Sequence, residues 1–239
     1  MVFIISACTI LASAITTLVG FGVGTIMTPI LVLFLPYKQV LLLVGCIHLA
    51  SSLMKTFTFR RTIDWRIVII SGIPSVGASV LGAMAISLFD KQLLVRILGA
   101  AVLGYVSLEM TNPQFKIPRS IWIMLIGGVV TGFLAGFLGI RGVLVAMMLS
   151  AFSLHKETFI GTTGALAVIV DTVRLSVYIF YNFPLAPELS WGLFLYIPLS
   201  LLTVHVVSYF VSYISVRQFK RLVALALIVI GLKLVIRGV

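Results

Sequence analysis

The chain has 239 residues, 61% of them hydrophobic and 10% charged, with a formal net charge of +11. Soluble domains carry about 45–50% apolar and about 25% charged residues, so a soluble globular protein is excluded and an integral membrane protein is expected. The apolar runs leave no room for a separate soluble domain, which predicts one membrane domain over residues 1–239.

Apolar segments fall at about 2–19, 23–35, 39–59, 65–88, 93–110, 120–138, 142–154, 157–180, 190–214 and 219–236. The first segment has a signal-peptide-like Ala12-Ser13-Ala14 ending but no basic start, so it reads as a membrane segment. A helical span needs about 20 residues. The segments at 23–35 and 142–154 are too short, and each follows a glycine cluster. The pairs 2–35 and 120–154 therefore predict glycine-broken or re-entrant hairpins, with thin tilted full spans as the alternative. Three longer helices follow each hairpin.

The glycine cluster is duplicated. Gly20-Phe21-Gly22-Val23-Gly24-Thr25-Ile26-Met27-Thr28-Pro29 recurs 119 residues later as Gly139 to Met148. The same offset pairs Gly45 with Gly164, Ser52 with Asp171 and Lys55 with Arg174. Thr111–Arg119, with Asn112, Pro113 and Pro118, reads as a linker between halves at 1–110 and 120–239. Duplicated units with interrupted helices are a recurrent plan of secondary transporters. The expected fold is an all-α polytopic membrane protein of two inverted repeats, each a broken hairpin followed by three transmembrane helices.

Charge sets the expected orientation. Arg60, Arg61, Arg66, Lys116, Arg119, Lys156, Arg217, Lys220 and Arg221 fall on one side of this topology. Lys38, Lys91 and Arg237 fall on the other, where the 181–190 connection carries no basic residue. Nine against three places the first set in the cytoplasm and both termini outside, in a plasma or inner membrane crossed several times. This sidedness inverts the second half relative to the first. Nucleic-acid binding is not expected, because no basic run is interleaved with exposed aromatics. Cys8 and Cys46 lie in apolar segments and suggest neither a disulfide framework nor a metal site. No cofactor is expected, and no oligomeric state follows from the sequence.

Ionisable residues at membrane depth are costly and are functional candidates. Lys55 and Arg174 are cations at equivalent repeat positions, suited to a small anion. The alternatives are a Lys55 that snorkels to the interface and an Arg174 that pairs only with Asp171 one turn away. Gly22, Gly24 and Gly142 open the two short helices, whose N-termini attract anions, and Thr25 adds a hydroxyl. Close helix packing is the competing reason for these glycines. It is the expected role of Gly72, Gly77, Gly82, Gly99, Gly104, Gly127 and Gly128. His48 shares a helix face with Ser52 and Lys55, so it lines a cavity, carries a proton or makes a packing hydrogen bond. His48 and Asp171 are the candidates for proton coupling.

Gly20–Pro29 resembles the first signature of the sulfite exporter TauE/SafE family, and Gly136–Gly142 resembles the second. His48, Ser52, Lys55, Phe59 and Arg60, followed by Asp64-Trp65, resemble the third helix of many members, and Asp171, Arg174 and Tyr178 the matching helix of the second half. The resemblance covers nearly the whole chain. It implies a helical permease for sulfite, thiosulfate, sulfoacetate or related sulfonates. Arg141 stands where the second signature usually has glycine, and Met148 where proline is common. Arg141 thereby becomes a candidate anion contact peculiar to this chain.

The expected function is a non-enzymatic secondary transporter, an exporter in the sense of the family's name. It would work by alternating access, with a small sulfur-containing anion and the lipid bilayer as its partners. An intramembrane enzyme and an anion channel are the alternatives. Neither H-E-x-x-H nor G-x-S-x-G occurs, and no P-loop suggests drive by ATP.

Overall fold

The computed structural model describes residues 1–19, 22–111, 118–210 and 217–237. Gly20 and Phe21 of the first glycine motif, and Asn112, Pro113 and Lys116 of the linker, lie outside the described residues.

The chain forms an all-α polytopic membrane protein, with no strand among the described residues. The first five helices are α1 (Val2–Val19), α2 (Val23–Leu31), α3 (Tyr37–Thr58), α4 (Trp65–Ala85) and α5 (Lys91–Thr111). The next five are α6 (Ile121–Leu138), α7 (Gly142–Ser150), α8 (Lys156–Phe180), α9 (Pro187–Phe210) and α10 (Arg217–Arg237). A helical turn at Ile86–Leu88 extends α4. Among the described residues, five helices, α3, α4 with its extension, α6, α8 and α9, are long and apolar enough to cross a membrane.

Local chemistry sets several boundaries. Asp64 begins α4 by accepting the Ile67 N–H at 3.2 Å, and the Ser120 hydroxyl begins α6 by accepting that of Trp122 at 3.2 Å. Gly139 ends α6 at φ +71°, a left-handed conformation that glycine adopts without a Cβ penalty. The short helices α2 and α7 have nine residues each. At about 1.5 Å per residue such a helix reaches about 13 Å, under half of a hydrocarbon core of about 30 Å. Neither can therefore be the thin full span.

Small residues bring helices together. A stripe of Gly128, Gly132 and Gly136 on α6 lies against Ser71, Ser75 and Ser79 on α4, in parallel register. A methyl group at Gly132 or Gly136 would overlap the Ser75 or Ser79 carbonyl. The Ser75 hydroxyl donates to the Gly128 carbonyl at 2.8 Å, joining the two helices. In lipid, such close packing and interhelical hydrogen bonding replace the hydrophobic drive available in water. Two of the expected packing glycines differ. A methyl group at Gly77 or Gly104 would meet nothing within 4 Å, so neither glycine serves a close contact among the described residues.

Helices α3 and α8 pack antiparallel, with Gly161 against Phe59, Gly164 against Lys55 and Thr56, and Gly45 against Leu175. Helix α4 packs on α6 and α8, while α9 packs on α1 and α3. Helix α5 packs on α10. Contacts between connections agree with this course. Arg60, Arg61 and Glu157 line one pocket at one end of the bundle. Arg119 lies over the Phe152 ring at 5.6 Å, and Lys38 lies over Phe183 at 5.3 Å at the other end of α3.

Candidate functional site

His48 stands near the middle of α3 and Asp171 past the middle of α8, where the buried faces of the two helices meet. The breaks after α1 and α6 approach this same level. Gly22 precedes α2, and a methyl group on it would lie 2.8 Å from His48 Nε2 and 3.6 Å from the Gly142 Cα. Gly142 opens α7. The N-terminal ends of α2 and α7 thus converge, each with amide N–H groups that its own helix cannot satisfy. Gly22 matters here because a side chain on it would fill the space between the two breaks.

A small cavity lies at this convergence. Its lining includes Gly22, His48, Ser52, Lys55, Arg141 and Gly142, together with Thr163, Gly164 and Ala167 of α8. About 20 Å³ is open to the centre of a water molecule, which is room for about one water. Six of the residues expected at the site therefore share one cavity. Gly24, Thr25, Asp171 and Arg174 are not in its lining.

The two cations in the lining are buried. Lys55 is 4% exposed and Arg141 6%. Lys55 Nζ donates to the Thr16 hydroxyl over a long 3.4 Å. Arg141 Nη1 donates to the Leu166 carbonyl at 3.2 Å. Among the described residues neither has a carboxylate at ion-pair distance. The Ser52 hydroxyl is also buried and has no hydrogen-bond partner among them. Burying charge without an opposite charge is costly, so this lining is complementary to a small anion.

Arg174 and Asp171 sit behind that lining. Arg174 Nε donates to Asp171 Oδ1 at 2.8 Å, and Nη1 donates to the Ala135 carbonyl at 3.0 Å. Asp171 Oδ2 lies 2.5 Å from His48 Nδ1. The carboxylate therefore links Arg174 to the ring that faces the cavity. The Tyr178 hydroxyl donates to the Gly136 carbonyl at 2.6 Å, and the Tyr37 hydroxyl donates to that of Phe137 at 2.8 Å. Three side chains thus donate to successive carbonyls at the C-terminal end of α6, and the Ala135 carbonyl also accepts the Gly139 N–H at 3.1 Å. A cation there also suits the negative end of the helix.

Gly24 has a packing role in this arrangement, since a methyl group on it would overlap the Gly139 carbonyl of the opposite break. Thr25 is buried with an unpartnered hydroxyl. Sequence reasoning missed Thr163, Gly164 and Ala167 as cavity residues. Counting back from Asp171 by four and seven along one helix face would have found Ala167 and Gly164. It also missed Tyr37, which meets its partner 100 residues away and carries no local signal.

A family model described as "Sulfite exporter TauE/SafE" matches residues 5–234. No curated protein and no solved structure gives a match.

Proposed function

Because the chain belongs to the sulfite exporter TauE/SafE family, whose members transport sulfur-containing anions, we propose that it is a secondary transporter of a small sulfur oxyanion held between the two helix breaks. The observation that carries this reading is the cavity lined by Lys55, Arg141 and the unpartnered Ser52 hydroxyl. A sulfite, thiosulfate or sulfonate group offers several oxygen acceptors. Lys55 and Arg141 would compensate its charge, Arg141 with a planar fork suited to two oxygens at once. The N–H groups opening α2 and α7 would add donors at the positive ends of two helices.

The cavity has room for about one water, so an oxyanion of several heavy atoms enters only if the lining moves. Lys55 has only a long 3.4 Å contact to Thr16 to give up if it moves. Alternating access follows if the halves 1–110 and 120–239 are inverted repeats that rock about this site. The antiparallel pairing of α3 with α8, which occupy corresponding places in the element order, supports that relation.

Purified protein in liposomes tests the proposal. Radiolabelled sulfite, thiosulfate and sulfoacetate are supplied outside, with the same unlabelled anion inside. A transporter gives saturable uptake that the internal anion accelerates. Non-saturating flux without counterflow favours a channel, and no flux of any of the three anions refutes transport of this substrate class.

A further inference from the structure

His48 holds a position that anion compensation alone does not require. Its Nδ1 meets Asp171 Oδ2, and the other oxygen of that carboxylate accepts from Arg174 Nε. Both oxygens are therefore occupied by nitrogen donors, which keeps Asp171 an acceptor and fixes the His48 proton on Nδ1. Ring orientation is fixed with it, as in other carboxylate–histidine pairs. The second nitrogen, Nε2, is left toward Gly22 and the cavity.

The surroundings of Nε2 decide when it takes a proton. The charged groups around the ring are Asp171, which meets Nδ1, Arg174 behind it on α8, and Lys55 of its own helix in the cavity lining. Arg141 from the second break shares the cavity lining. Helices α1 and α2, which also pack on α3, carry no charged side chain, and Cys8 of α1 is a free thiol. Cys46 of α3 is the other free thiol. Helix α9 contributes Glu188, Tyr196, His205 and Tyr209, none of which lines this cavity. Asp171 is shared with Arg174, and the ring of the empty site lines one cavity with Lys55 and Arg141. A proton there adds a third positive charge beside two others. An anion in the cavity reverses that balance, because it needs both the charge and one more donor.

From this geometry we infer that His48 is the proton carrier of the anion site: its Nε2 gains a proton as an oxyanion enters, and proton and anion cross together. Asp171 is the positioning residue. The inference rests on the anion-transport reading above. It also gives a sign. The bound site holds its proton to higher pH than the empty site, so affinity rises as pH falls between the two titrations and is flat outside them. The slope within that window is at most about tenfold per pH unit for one proton.

Thiosulfate is the suitable probe, since it does not itself titrate near neutral pH. Titration calorimetry of the wild type at about pH 7, in two buffers of different ionisation enthalpy, counts the protons taken up per anion. The expected result is a fractional uptake approaching one proton, with affinity rising toward about pH 6. His48→Asn keeps an amide donor for Asp171 and removes the titrating nitrogen. It should bind thiosulfate more weakly than the wild type and with no linked proton. The chain has only three histidines, so ring nitrogen-15 shifts of labelled wild type report the same event without any variant. The His48 signal should move to the doubly protonated form on adding thiosulfate. Binding without proton uptake, or equal uptake in His48→Asn, overturns the inference and leaves anion transport standing. Failure of thiosulfate, sulfite and sulfoacetate all to bind overturns the transport reading and this inference with it.

Discussion

Arg174 donates to the Ala135 carbonyl over 3.0 Å at the C-terminal end of α6. Lys55 reaches Thr16, near the C-terminal end of α1. Both pairs are related by the same offset of 119 residues. The two cations thus stand at corresponding places beside corresponding broken helices. Their partners differ. Arg174 is held by a carboxylate and a carbonyl, whereas Lys55 has one distant hydroxyl and faces the cavity.

That difference separates their substitutions. Lys55→Met removes charge and keeps apolar length. It should weaken anion binding about 10- to 150-fold, the equivalent of one charge-assisted hydrogen bond of about 1.5–3 kcal/mol. Thermal stability without anion should hold or rise, because a buried charge without a carboxylate partner is lost. Arg174→Met should instead destabilise by about 3–5 kcal/mol, since it leaves Asp171 buried against His48 alone. Asp171→Asn/Arg174→Met should recover much of that loss. Calorimetry and unfolding in the same detergent decide. An Arg174→Met protein of wild-type stability with abolished binding would reverse the assignment.

The tyrosines at the same helix end make a second prediction. Tyr178→Phe leaves the Gly136 carbonyl without its 2.6 Å donor. Tyr37→Phe does the same to Phe137. Each should cost about 1–3 kcal/mol, the desolvation cost of an unsatisfied buried group. Neither ring lies in the cavity lining, so anion affinity should change less than about threefold. A large affinity loss at unchanged stability would place these hydroxyls in the binding site.

Glycine substitutions test the helix stripe against its own control. Gly132→Ala sets a methyl group into the Ser75 backbone, which cannot yield as a flexible side chain does. Overpacking of this kind costs about 1–3 kcal/mol or more. Gly77→Ala sits in the packing partner α4 but meets nothing within 4 Å. It should be neutral or slightly stabilising by helix propensity. Equal unfolding temperatures for the two variants would remove close approach as the reason for the α6 stripe.

What is local in the physics was legible in the sequence. Each of the apolar runs contains a helix, because backbone polar groups at membrane depth have to be satisfied within the segment. The breaks were legible because Gly22, Gly139 and Gly142 interrupt otherwise continuous apolar stretches. Helix periodicity placed His48, Ser52 and Lys55 on one face, and they do share a cavity. Periodicity could not say what faced them. Arg174 has the same spacing to Asp171 whether it points to a cavity or to a carbonyl, and only the position of α6 distinguishes the two. Gly77 and Gly104 illustrate the same limit, since a glycine in a helix looks alike whether or not a neighbour needs its space.

Orientation gives a further prediction. By the nine-to-three excess of basic residues, the Arg60–Arg66 connection should lie inside and the 181–190 connection outside. Arg61 and Glu188 are both exposed. With Cys8 and Cys46 replaced by alanine, a cysteine at Glu188 should react with an impermeant thiol reagent added to intact cells. One at Arg61 should react only after permeabilisation. The reverse pattern would invert the molecule in the membrane, and equal labelling of both would place the two connections on one side.

Gly22 offers the most direct test of the meeting of the two breaks. Its missing side chain leaves the space into which His48 Nε2 points, and the Gly142 backbone bounds that space. Gly22→Ala puts a carbon 2.8 Å from Nε2, closer than such atoms can stay. The ring then has to tilt, at the expense of its bond to Asp171, or α2 has to move away from α7. Either response fills or distorts a cavity that holds about one water. Anion binding should therefore fall by at least about tenfold, while the packing of α3 on α8 and of α4 on α6 keeps the fold intact. Gly22→Val should abolish binding, because its branched side chain cannot be accommodated by a small tilt. Gly24→Ala is the comparison. It strikes the Gly139 carbonyl instead of the histidine, so it should lower the unfolding temperature more than it lowers affinity. Measured together by calorimetry and thermal unfolding, the two alanine variants should exchange their effects. If Gly22→Ala binds anion as the wild type does, the space between the breaks is not where substrate sits.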